Sequence, residues 1–507
     1  MPSSPRLAER VPFLLDIEMD SLSETRKVIT GNVIVCSKCG AYLDNPGLIE
    51  TGEIGRYYKC PYCGTTNIIP KDAQIVEPDS DILISEAKEQ KTEYIKHSAE
   101  TIVALIDISG SMGGAKLKAV KESLIKSINS IVKTTPDTYF YLVPFETSVY
   151  IVDPISGEFY KISEDLEDET RIGEQVLKIL ERIKPERISE VAENLKTYVF
   201  NLREMGSTAL GPAVVTGFTI LKKHEGGRLL LLTDGMANVG IGSLDAYPSQ
   251  EKFYKEMATK LKNMGMIVDV IGVRSHGEIG LDKIGVLAEI TEGDILYPDI
   301  SEIEASMGEA YGKRIIGRDV KIRIIAPPEI KISDASGISD KIIEDLKTKH
   351  SAKIGMMTEG RELMLAVKPK TEIKRKKVPI QIQMEYVDSK GAKKVRVLST
   401  EVDVTSKEDE ILESLDAEIT TTFVVQKAGE HEYRGEEKRR KAVIKQAQQL
   451  LNAAAQINAE NAQAFRDAIE IIENTEKEFE EAKQMRDEQV AQGMKARRVS
   501  KAKLFKK

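Results

Sequence analysis

No run of eighteen or more apolar residues occurs in the 507-residue chain, so no stretch has the length of a membrane-spanning helix. No apolar leader of the secretory type opens it either. The expected location is therefore the cytoplasm, peripheral to a membrane at most. Basic charge is not in excess: the net charge of −8 and pI of about 5.6 give no reason to expect nucleic acid as a partner. Histidine is scarce, and the five residues, His97, His224, His276, His350 and His431, sit in no motif. The phosphate loop Gly-x4-Gly-Lys-Ser/Thr, the pair His-Glu-x-x-His and the elbow Gly-x-Ser-x-Gly are all missing. Without a legible base, nucleophile or organic cofactor site, the chain is not expected to be an enzyme.

Cysteine is limited to Cys36, Cys39, Cys60 and Cys63, spaced Cys-x2-Cys-x20-Cys-x2-Cys. Two such knuckles offer four sulfurs to one point, which suits tetrahedral zinc of the ribbon type. A chain without a secretion signal argues against disulfides, leaving a redox pair or free thiols as the alternatives. Four protein ligands leave no open position, so this zinc is expected to be structural, contributing folding energy on the order of 10 kcal/mol.

Composition is that of a globular protein, 41% hydrophobic and 30% charged, and the length suggests roughly three or more domains. An early apolar stretch near 11–19 reads as a strand with no sheet of its own. From 101 strands and helices alternate, with strands over 101–108, 138–145, 228–233, 267–273 and 294–297. Helices are expected over 116–133, 189–203, 209–223, 250–263 and 281–289. This pattern predicts a mostly parallel sheet covered on both faces. Beyond 317 the period changes to two, as at Val378, Ile380, Ile382, Met384 and Tyr386, which predicts a β-sandwich that the early strand completes. Beyond 436 the period is helical, and the last residues are basic. The expected divisions are 1–29 (strand joining the sandwich), 30–70 (ribbon), 71–98 (linker), 99–316 (α/β domain), 317–428 (sandwich), 429–490 (helices) and 491–507 (basic tail).

Within the α/β region three loops carry oxygen donors. The first follows a strand and reads Asp107-x-Ser109-x-Ser111; the second holds Thr208 just before a helix; the third closes the strand Leu229-Leu-Leu-Leu-Thr233 with Asp234. Hard oxygen ligands suit magnesium, manganese or calcium better than zinc. Helix caps and tight turns also use these residue types, but three loops at the ligand crevice of an open α/β sheet point to one site.

In this order and on this background, Asp107, Ser109, Ser111, Thr208 and Asp234 resemble the metal-ion-dependent adhesion site of von Willebrand factor A domains. The resemblance implies a Rossmann-like A domain and magnesium held by the hydroxyls directly and by the acids directly or through water. It also implies a protein partner whose acidic residue completes the shell. The domain order, and the ribbon residues Val35-Cys-Ser-Lys-Cys-Gly-Ala-Tyr-Leu-Asp-Asn-Pro46 and Tyr58-Lys-Cys-Pro-Tyr-Cys-Gly-Thr-Thr-Asn67, further resemble the inner-coat cargo-adaptor and GTPase-binding subunits of the COPII vesicle coat. Two departures stand out: no gelsolin-like module is recognisable, and the adhesion site is complete where coat subunits have generally lost it. Together these imply a prokaryotic or ancestral relative acting as a non-enzymatic interaction scaffold in membrane trafficking. Partners implied are a small GTPase, or an anionic membrane surface reached by the basic tail. The alternative is a prokaryotic A-domain protein assisting complex assembly beside an AAA ATPase.

Overall fold

The computed structural model describes residues 1–53, 55–77, 80–85, 100–245, 250–274 and 277–505. Most of the expected linker over 86–98, with His97, and also His276 and the last two lysines lie outside the described residues. The chain forms a zinc-ribbon-like module, a Rossmann-like von Willebrand A domain, a β-sandwich and C-terminal helices.

Every residue of the strand Thr101–Asp107 is buried. Its side chains alternate between two cores: Val103 and Leu105 face one, Ile102, Ala104 and Ile106 the other. Around it a seven-stranded sheet runs in the order Phe159–Ile162, Val149–Val152, Tyr139–Phe145, Thr101–Asp107, Gly227–Thr233, Met266–Gly272, Ile295–Leu296. The last five are parallel and the first two add an antiparallel hairpin edge. The helix Ala115–Thr134 buries Leu117, Val120, Leu124, Ile128 and Ile131 at helical spacing on one face of the sheet. The helices Glu169–Leu180, Leu210–Lys223 and Lys252–Asn263 cover the opposite face through residues such as Val176, Ala213 and Leu261. Strand order reverses between Thr101–Asp107 and Gly227–Thr233, which opens a crevice at their C-terminal ends.

The sandwich packs a three-stranded sheet (Phe13–Glu18, Glu362–Pro369, Ile330–Ser336) against a six-stranded one (Ser351–Thr358, Ile315–Ile325, Lys377–Val387, Lys393–Asp403, Ser80–Ser85, Lys27–Ile29). Ile322, Ile380 and Met384 from one sheet meet Ile332, Leu363 and Leu365 from the other. Two features differ from the sequence expectation. Ser80–Ser85, placed in the linker by its polar surroundings, is a strand, and its Asp81 is buried against Arg396. The sandwich also stops at Asp403, and Ala417–Tyr433 is a helix. The run Thr420-Thr-Thr-Phe-Val-Val425 carries the β-branched residues of a strand, but Asp416 caps a helix by accepting from the Ile419 amide at 2.9 Å. Burial on most of its circumference removes the amphipathic stripe that would have marked it.

The C-terminal basic stretch is docked, not a free tail. The helix Arg486–Arg497 crosses Ala417–Tyr433 where glycines permit close approach: a Cβ at Gly493 would lie 2.3 Å from the Tyr433 amide nitrogen, and one at Gly429 2.4 Å from that of Arg497. Arg497 donates to the Ile338 carbonyl at 2.7 Å and pairs with Glu289 and Asp340. Arg498 pairs with Glu292 and donates to the Gly337 carbonyl at 3.1 Å. Lys501 reaches Asp16 and Glu18, and Lys503 reaches Glu309. Basic composition reads as solvated because the carboxylates opposite come from the α/β domain and the sandwich, far away in sequence. Arg497 and Arg498 are buried in these pairs, so their charges are engaged inside the molecule.

Burial alone would raise the pKa of Glu292, but Arg498 and Lys262 outweigh it and hold the group at about 2. The carboxylate therefore stabilises the fold above its ordinary value of 4.5, and that contribution is lost as the pH falls toward 2. Arg498→Met should lower stability at pH 6 and flatten the acid limb of the profile between pH 5 and pH 3, read by denaturant titration. An unchanged acid limb would remove this pair from the account.

Among the described residues no helix is long and apolar enough to cross a membrane.

Candidate metal centres

Each cysteine knuckle closes in the same way. The Gly40 amide donates to the Cys36 carbonyl at 2.9 Å and the Gly64 amide to the Cys60 carbonyl at 2.8 Å, and both glycines have positive φ. All four sulfurs lie within 4.8 Å of one another, Cys36 at 3.5 Å from Cys63 and Cys39 at 3.6 Å from Cys60. Asn67 ties the halves together, accepting from the Ser37 amide and hydroxyl at 2.9 Å and donating to Cys36 Sγ. Burial pushes the Cys36 thiol up, yet the Cys39 and Lys38 amides and Asn67 more than compensate and bring it to about 6. Burial drives Cys39 to about 11. Four convergent sulfurs with amide donors aimed at one of them fit a soft tetrahedral cation, with Cys36, Cys39, Cys60 and Cys63 as its ligands. The module is held on the sandwich by reciprocal bonds: Gln381 Oε1 accepts from the Tyr42 amide at 2.9 Å and Gln381 Nε2 donates to the Tyr42 carbonyl at 3.0 Å.

The second centre occupies the crevice at the switch point. Main-chain bonds stitch its three loops together: the Gly110 amide donates to the Gly206 carbonyl at 3.1 Å, the Met205 amide to the Ile108 carbonyl at 2.8 Å, and the Asn238 amide to the Thr208 carbonyl at 3.1 Å. Asn238 Oδ1 in turn accepts from the Thr208 amide at 2.8 Å. Asp107 is fully buried; it accepts from the Ser109 amide at 2.8 Å through Oδ1 and from the Thr233 hydroxyl through Oδ2. Burial raises its carboxyl to about 6, opposed by the donors from Ser109 and Thr233. The Ser109 and Ser111 hydroxyls lie 3.1 Å apart, and Ser111 donates to Asp234 Oδ1 at 2.7 Å. A Cβ at Gly235 would stand 3.2 Å from Thr208 Oγ1, 3.3 Å from Ser111 Oγ and 3.9 Å from Ser109 Oγ. The bare glycine therefore leaves the space into which all three hydroxyls point.

Asp107, Ser109, Ser111, Thr208 and Asp234 are thus brought into one cluster of hard oxygen donors, a set that fits a small divalent cation. Sequence reasoning missed three participants. Thr233 and Asn238 look like ordinary strand-end and loop residues. Lys116, at the second position of the helix Ala115–Thr134, extends into the crevice, where its ammonium pairs with Asp234 Oδ2 and donates to the Ser111 carbonyl at 3.2 Å. The missed signal was a lysine in a helix's first turn, where the positive end of the helix dipole disfavours it.

The fold recurs in known proteins. Residues 100–302 match the family model of the Sec23/Sec24 trunk domain. The chain is 25% identical over 436 residues to Circularly permutated Ras protein 1 of Dictyostelium discoideum, covering 77% of this chain and 50% of that protein. It is 20% identical over 441 residues to Protein transport protein SEC24-2 of Naumovozyma castellii, covering 78% and 47%. In three dimensions it superposes on the human COPII-coat protein Sec24c with a TM-score of 0.70 at 14% identity, over 99% of this chain and 74% of that one. The chain spans about half the length of the curated relatives it matches. Both named relatives are eukaryotic proteins and lend no support to the expectation of a prokaryotic lineage.

Proposed function

We propose that this chain is a non-enzymatic interaction scaffold of the COPII-coat type, built around a Sec23/Sec24-like trunk and acting in membrane trafficking. The observation that carries the reading is that ribbon, trunk, sandwich and helices occur together in one molecule, in an arrangement that follows Sec24c along nearly the whole chain. Cargo selection and a small-GTPase partner belong to this proposal; the name of the Dictyostelium relative includes Ras. No observation favours the ATPase-linked alternative.

The trunk crevice is the proposed docking point for an acidic side chain of a protein partner. Ser109, Ser111 and Thr208 would hold magnesium directly, with Asp107 and Asp234 bound to it or to its waters. When bound, the cation supplies an electrophilic centre that a partner carboxylate completes. Asp107 sets the depth of the site through its bonds to Ser109 and Thr233, and Asn238 fixes the Thr208 loop. The crevice donors are hydroxyls and carboxylates committed to one another, a set suited to binding. The ribbon cysteines would hold zinc for folding alone.

The test is affinity capture with the full chain as bait. Asp107→Ala, or EDTA at a concentration that leaves the thiolate-held zinc in place, should reduce recovery of the metal-dependent partner by about tenfold or more, with circular dichroism unchanged. Recovery that persists with a folded Asp107→Ala protein would move the docking point out of the crevice.

A further inference from the structure

Of the two crevice carboxylates, Asp234 is paired with a cation of the chain itself, whereas Asp107 meets only neutral donors. Asp234 has no exposed side-chain surface, and its two oxygens are taken by the Ser111 hydroxyl and the Lys116 ammonium. Lys116 is itself only 18% exposed and donates its second bond to the Ser111 carbonyl. Its Nζ thus stands between the first and third loops, at the carboxylate that a divalent cation would use.

The position is costly for a lysine. The first turn of a helix presents unpaired amides and the positive end of the dipole, so a cation there is disfavoured by a few tenths to about 1 kcal/mol. The helix has no acid in its first turn to offset this. What compensates is Asp234, from a strand end more than a hundred residues away. Burying that carboxylate without a cation would be expensive, so the ammonium and a bound metal are alternative solutions to the same electrostatic problem.

We propose that Lys116 is a tethered cation that competes with the divalent ion for Asp234. The inference rests on the crevice being a metal site. Lys116 has four rotatable bonds and lies at the mouth, so its ammonium can swing into solvent when metal and an acidic partner arrive together. By reciprocity, the Lys116–Asp234 pair weakens metal binding by the same factor by which bound metal weakens the pair, so whatever loosens the pair strengthens metal binding. A partner acid that attracts Lys116 outward would act on the same equilibrium, which makes capture cooperative in metal and partner.

The experiment is calorimetric titration of magnesium into the zinc-loaded full chain, comparing the native protein with Lys116→Met, Lys116→Arg and the double variant Lys116→Met/Asp234→Asn. Magnesium is used because thiolates bind it poorly. Lys116→Met should bind it about tenfold or more tightly than the native chain; Lys116→Arg should stay with the native chain, and the double variant should lose the gain. As a second readout, Lys116→Met should have a lower Tm without magnesium, because Asp234 is left buried and unpaired. Excess magnesium should restore its Tm, a larger rise than the same magnesium gives the native chain. Equal affinity in the native chain and a folded Lys116→Met protein would overturn the role of Lys116 and leave the metal site standing. Absence of binding by every variant would overturn both.

Discussion

Replacing Cys60 by serine is expected to unfold the ribbon module, removing folding energy on the order of 10 kcal/mol from residues 30–70. The module has little else to hold it. Its sheet consists of the short strands Ile49–Gly52, Gly55–Lys59 and Thr66–Ile68, and its core is confined to residues such as Ile34, Leu43, Tyr58 and Ile69. A unit of this size does not bury enough apolar surface to fold unaided. Four sulfurs within 4.8 Å cannot all ionise without a cation between them, so the thiolate charge that zinc rewards becomes a penalty when zinc is absent. Zinc content should fall from one equivalent to near zero, and proteolysis should open within 40–59. The sandwich should survive, because its own core around Ile322, Ile380 and Met384 is separate from the ribbon contacts at Gln381, Gln383, Arg323 and Ile325. A Cys60→Ser protein that retained one zinc and resisted protease would show that Cys60 is not a ligand on which the module's fold depends.

The second large effect is expected at Arg396. Its Nε and Nη2 donate to the two oxygens of Asp81 at 2.8 Å, and both side chains are essentially inaccessible. The Tyr386 hydroxyl donates to the same carboxylate at 3.0 Å. Arg396→Met leaves Asp81 buried with one neutral donor and should cost about 3–5 kcal/mol. The pair fixes the strand Ser80–Ser85 against Lys393–Asp403, where the chain returns from the ribbon. Loss should therefore appear first as hydrogen exchange along those two strands, then as a lower denaturation midpoint. Adding Asp81→Leu should recover most of the stability, since removing both charges ends the desolvation penalty. If the double variant were no better than Arg396→Met alone, the cost would lie in lost packing around Tyr386 and not in the unpaired charge.

The parts of the fold that were legible share one property: their signal is local. Val103–Ile106 and Leu229–Leu232 are apolar runs of strand length, and Leu117, Val120, Leu124, Ile128 and Ile131 repeat at helical spacing, so the alternation behind the α/β sheet could be read from neighbours alone. The five crevice donors were legible because each sits at a strand end or helix start, where loops carry chemistry. Ser80–Ser85 was hidden because its neighbours are polar and its place, between Lys27–Ile29 and a strand more than three hundred residues later, is set by distant pairing. Ala417–Tyr433 was misread because β-branched residues in a helix buried on most of its circumference carry neither a polar face nor a clear period. Lys116 was overlooked because, in sequence, it is one more charge on an amphipathic helix.

The local chemistry is written along the chain: two thiol pairs at ribbon spacing, three oxygen-bearing loops, and the change of period at 317. Which charges meet depends on the folded arrangement. It placed Lys116 on Asp234, Arg396 on Asp81, and the basic C-terminal residues on carboxylates of two other domains. The physical reason is that periodicity and turn chemistry act over a few residues, whereas the pairing of a buried charge is fixed by the fold that brings its partner from hundreds of residues away.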